Sequence, residues 1–123
     1  MYGKKQYLLG LICYFWATCN LLAQYHFTVD DAFFDGANRF FKEYVNNDGL
    51  VNYVDLSANP AALIELLKVV DNAPLEQLNE TTLKAFYINA YNLIVIKSVL
   101  NNYPINSPLE VTGFFITEQH KVG

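Results

Sequence analysis

Between Gln24 and Gly123 the chain has no cysteine, and only two histidines, His26 and His120, occur anywhere in it. The first absence excludes, within that stretch, an intramolecular disulfide framework, a thiolate metal site and a cysteine nucleophile. The second leaves a histidine-based centre without a second histidine at ligand spacing. Charge is sparse too: 16% of residues carry it, with a net of −4. Scattered lysines on an acidic chain provide no electrostatic footprint for nucleic acid, so that class of partner is excluded. Internal repeats and low-complexity tracts are also missing, and 123 residues suffice for one domain at most.

What is present begins with an unusual N-terminus. Lys4 and Lys5 precede Tyr7–Ala23 (YLLGLICYFWATCNLLA), a run with no charged residue. A basic start followed by an apolar stretch is the pattern of a secretory signal peptide, here residues 1–23, with cleavage expected after Ala23. Its apolar stretch is shorter than the roughly 20 residues of a membrane span, and Thr18 and Asn20 dilute its end. The expected location is therefore periplasmic or extracellular, with only transient engagement of the export machinery and no stable membrane span. The alternative is an uncleaved N-terminal anchor, since Leu21 is bulky for the position three before the cut. Cleavage would remove both cysteines, Cys13 and Cys19, and the loss of two lysines would take the net charge from −4 to −6.

Helical and turn signals follow. Thr28 is suited to cap a helix, with Asp30 and Asp31 at the positive end of its dipole. Val29, Phe33, Ala37, Phe40, Phe41 and Tyr44 recur at helical spacing, and Asn46-Asn47-Asp48-Gly49 ends the pattern. Leu50–Leu56 alternates imperfectly and predicts a short strand or extended connector. A second helix is expected from Asn59 as cap and Pro60 at the first helical position, ending near Asp71-Asn72-Ala73-Pro74. A third runs from about Thr81 or Thr82 to Asn102. After Pro108, Val111–Thr117 is β-branched and aromatic and predicts a strand. The expected fold class is α+β: three main helices leading into an incomplete β-hairpin or sheet. Lys121-Val122-Gly123 reads as the start of a further strand, so residues 24–123 are expected to be the N-terminal part of a single truncated domain.

The polar clusters carry little chemistry. Asn46, Asp48, Gly49, Val51 and Asp55 fill positions three, five, six, eight and twelve of a calcium-binding loop, but Tyr44 stands at position one, where a carboxylate is required. A glycine-capped turn explains the same residues. Asp30, Asp31 and Asp35 make a solvated face favoured by the helix dipole rather than a metal cluster. Asn79-Glu80-Thr81 has the form of a glycosylation sequon, and capping the third helix is its preferred role. No catalytic residue, metal site or cofactor is expected.

The third helix contains Ala85–Asn92 (AFYINAYN), with Asn89 and Asn92 three apart in an apolar pattern. On a helical wheel the two asparagines share a face with Ala85, Ile88 and Ile96, while Lys84, Tyr87, Tyr91 and Ser98 lie roughly opposite. That arrangement predicts inward-pointing amides, which need partners because an unpaired buried amide costs about 1–3 kcal/mol. Asn89, Asn92 and Tyr91 are thus candidate structural or cleft-lining residues. In the first role the amides bond neighbouring backbone, such as an adjoining loop; in the second they orient a catalytic group or a substrate carbonyl.

Ala85–Asn92, followed by Tyr103-Pro104 and Gly113-Phe114-Phe115, resembles domain-of-unknown-function family five hundred and forty-seven. Tyr44-Val45 with Asp48–Tyr53 is similar to that family's lead-in, so the resemblance spans about Phe40 to Phe115. It implies an exported bacterial protein. It also implies a later half with a histidine and a cysteine-bearing segment, arranged as in a papain-like thiol hydrolase. His120 does not sit in the family's histidine motif, so this chain is expected to lack the reacting groups and to be inactive alone. The other expectation is a non-enzymatic binding module, in which aromatic-rich helices dock a partner.

Overall fold

The computed structural model describes residues 29–116 and 122–123. Four α-helices organise them: α1 (Val29–Tyr44), α2 (Tyr53–Ala58), α3 (Ala61–Asn72) and α4 (Glu80–Asn101). Single 3-10 turns stand at Leu75–Gln77 and Pro108–Glu110. The expected signal peptide, the Thr28 cap, His26 and His120 all lie outside the described residues.

Helix α1 buries Phe33, Ala37, Phe40 and Tyr44, the spacing of one helical face, and exposes Asp31 and Asp35 on the other side. Its sequel is a tight turn rather than a calcium loop. The Asn46 side-chain oxygen accepts the backbone N–H groups of Asp48 (3.0 Å) and Leu50 (2.9 Å), and Gly49 takes φ +78°. Tyr44 is buried in the core, far from the role of an ion ligand. An isolated antiparallel bridge joins Val45 to Val51 and closes the turn.

The strand or connector expected over Leu50–Leu56 is instead mostly helix. Asn52 caps α2: its side-chain oxygen accepts the Asp55 N–H (3.2 Å) while its amide donates to the Asp55 carboxylate (2.6 Å). Helix α3 starts one residue later than expected. Pro60 occupies the cap and Asn59 closes α2 by donating its backbone N–H to the Asp55 carbonyl. Ala73, before Pro74, is extended at ψ 132°, which ends α3 as the proline requires.

Helices α1 and α3 pack together, and α3 packs on α4. The first approach is close at Gly36, where a Cβ would meet Leu66 Cδ2 at 3.1 Å. Leu56 from α2, Leu63, Leu66 and Val70 from α3, and Phe86, Ala90, Leu93 and Ile96 from α4 complete one apolar cluster. The Phe33 and Phe86 rings lie 4.8 Å apart and pin the start of α4 to α1. The backbone N–H of Gly123 donates to the Val70 carbonyl (3.0 Å), and Val122 packs against the cluster.

The α+β expectation is overturned: no strand, hairpin or sheet exists among the described residues. Val111–Ile116 is a succession of turns. Phe114 donates to the Val111 carbonyl (3.1 Å), Ile116 donates to Gly113 (2.8 Å), and Gly113 takes φ +76°. Bonds to residues three back coil the segment, and among the described residues no neighbouring strand offers the ladder that β-branched residues would otherwise join. Among the described residues the named elements are all helices or 3-10 turns.

Candidate interaction surface

Helix α4 begins at Asn79, whose side-chain oxygen accepts the Thr82 N–H (3.0 Å). The capping role expected of the sequon asparagine is thus what its geometry serves. From there the helix is apolar nearly all round, so its polarity alone does not define an inner face. The core decides the matter. Phe86, Ala90 and Leu93 point inward, and Tyr87, Ile88 and Tyr91 are left 47%, 64% and 60% exposed.

This corrects the expected orientation of the asparagines. Asn92 is exposed and Asn89 only half-buried. The amide of Asn89 donates to the Ala85 carbonyl of its own helix (2.8 Å), not to an adjoining loop. Asn72 and Asn102 do the same, donating to the carbonyls of Lys68 (2.7 Å) and Ser98 (2.8 Å). Tyr91 stands on the outward strip beside Ile88. Ser98, assigned by the wheel to the watery side, is buried.

Among the described residues no three His, Cys, Asp or Glu side chains converge as a metal site requires. The same residues include neither cysteine nor histidine. A groove of about 660 Å³ runs between α1 and α3. Its floor includes Phe33, Phe40 and Leu66; its rim carries Arg39, Glu43 and the Glu65–Lys68 ion pair (2.7 Å). None of Asn89, Tyr91 or Asn92 borders it.

Fold and surface together define a helical bundle in which an uncharged stretch of α4 leaves Tyr87, Ile88 and Tyr91 facing outward. Comparison with protein families, curated proteins and solved structures yields no match. No described helix is long and apolar enough to cross a membrane.

Proposed function

We propose that this chain is an exported interaction module whose contact surface is the outward strip of α4, with Ile88 at its centre and Tyr87 and Tyr91 beside it. One observation supports the reading. Ala85–Ile96 contains no charged residue, yet three of its large side chains face water. A water-facing helical stripe ordinarily carries charge, whereas interface centres are depleted in charge and enriched in tyrosine. Export rests on Lys4, Lys5 and the uncharged run Tyr7–Ala23. Cleavage would leave the module periplasmic or extracellular; retention of the run would leave it anchored.

A second reading is favoured by a coincidence of place. The string that carries the family resemblance, Ala85–Asn92, is the same segment that bears the outward strip. In a thiol-hydrolase-like domain the strip would seat the part that holds the histidine and cysteine, and this chain would contribute no reacting atom.

A photo-reactive residue placed at Tyr91 tests the interaction reading in cells, with Asp71, exposed on α3, as the control. Discrete adducts from position 91 and none from position 71 are expected. No adduct from 91, or equal adducts from both, would overturn the reading. Fractionation settles export: accumulation of the chain in the cytoplasm would refute it.

A further inference from the structure

Resting on the interaction reading above, we infer that the outward strip of α4 binds a second copy of this chain, as an antiparallel helix pair whose two-fold axis passes at Ile88. Three features point to self-pairing. First, the protein carries a net charge of −4, while Ala85–Ile96 carries no charge at all and so meets a copy of itself without like-charge repulsion. Second, the strip complements itself. An antiparallel crossing centred on Ile88 sets Tyr91 against the small Ala85 of the second copy, so that a large side chain meets a gap. Third, the nearest polar groups match. The same crossing sets the Lys84 ammonium, a donor only, against the Asn92 side-chain oxygen of the second copy, an acceptor. Lys84 holds Glu80 of its own helix at 2.7 Å, so the pair enters the rim already neutralised.

Area sets the strength. Aromatic side chains bury about 150–250 Å² each, so the exposed parts of Tyr87, Ile88 and Tyr91 offer roughly 300 Å² per copy. A stable interface uses about 800 Å² per partner, and Lys84, Ala85 and Asn92 add only a polar rim. The dimer is therefore weak and reversible, with Kd in the range of about 10 µM to 1 mM.

Sedimentation of the chain, purified in the form in which the cell accumulates it, tests this across about 1 µM to 1 mM. A monomer–dimer equilibrium is expected. Ile88→Glu, which sets two carboxylates across the axis, should weaken it at least ~30-fold, and Ile88→Lys should do the same. An equimolar mixture of the two variants should dimerise again, because only a residue facing its own copy is rescued by the opposite charge. Ile88 is exposed, so helical circular dichroism should match the wild type in both variants. A wild type that stays monomeric throughout, or a dimer indifferent to both substitutions, would overturn the inference. If adducts from Tyr91 to a species of another mass persist alongside a monomer, the second copy is refuted while the interaction reading stands. Loss of all adducts alongside a monomer refutes both.

Discussion

The two halves of α4 differ in surroundings more than in composition. In the first half, Phe86, Ala90 and Leu93 are buried while Tyr87, Ile88 and Tyr91 face out. In the second, Ser98 and Val99 are buried on sides that the first half leaves bare, and Val95 is half-buried. A helix that is apolar all round is built to be covered on more than one side. Here one half is covered and the other half is not. Three residues of the first half, Phe86, Ala90 and Leu93, join the core, and Tyr87, Ile88 and Tyr91 stay outside it.

The strongest way to break that comparison is to truncate one residue from each side of the first half. Phe86→Ala removes a ring packed against Phe33 and should cost about 3–5 kcal/mol. Ile88→Ala, two residues on, should stay within about 0.5 kcal/mol of wild type. Urea denaturation of both variants measures the difference. Equal costs would mean that Ile88 is covered after all and that the strip is core.

A smaller effect is expected at the helix start. Asn79→Ala leaves the Thr82 N–H without its cap and should destabilise by about 1 kcal/mol. Because the first half of α4 is packed on one side only, hydrogen exchange should rise in its first two turns and much less beyond Ile96. Uniform exchange along the whole helix would show that the two halves open together.

Much of this fold was legible in the sequence, for reasons that also explain the failures. Phe33, Ala37, Phe40 and Tyr44 alternate with charged residues along α1, so its buried face could be read directly. Pro74 fixed the end of α3 because proline restricts the residue before it. The turn after α1 was legible from Asn46 and Gly49, each with its own local chemistry. The strand expected at Val111–Thr117 failed because β-branched composition needs a neighbouring strand to act on, and none of the described residues supplies one. The face of α4 failed for a different reason. With apolar residues on every side, the wheel was oriented by where the polar groups fell, and the ring of Phe33 against Phe86 overrode them. The candidate strip was visible only as the uncharged run around Ile88; which of its side chains faced out depended on tertiary packing.

Tyrosines on the covered side give a pH-dependent comparison. Burial pushes the Tyr53 hydroxyl above its ordinary value, and its ring stacks on Tyr103 at 5.9 Å. Tyr44 is also raised, first by burial and then by Glu43 and Asp55. A raised tyrosine favours the neutral form in the folded state. Its contribution is complete below the unfolded value near pH 10 and is lost as pH rises through the folded value. The thermal unfolding temperature should therefore fall above about pH 10. Tyr44→Phe with Tyr53→Phe should flatten that decline, and an unchanged decline in the double variant would exclude these two residues as its cause.

The smallest expected effect concerns Asn89, and it decides between two roles. The Ala85 carbonyl that accepts the Asn89 amide at 2.8 Å already accepts a backbone N–H in a regular helix. Asn89→Ala thus removes a second donor to a satisfied acceptor and orphans nothing. It also replaces a poor helix former with the best one, which is worth up to about 0.7 kcal/mol. The two changes nearly cancel, so the stability of Asn89→Ala should lie within about 0.5 kcal/mol of wild type. Had the amide tied α4 to a neighbouring segment, its loss would cost about 1–2 kcal/mol. Denaturation midpoints of Asn89→Ala and wild type, taken at equal slopes, separate these outcomes. A cost at the upper figure would return Asn89 to the interior and leave the outward strip of Ile88, Tyr87 and Tyr91 as it stands.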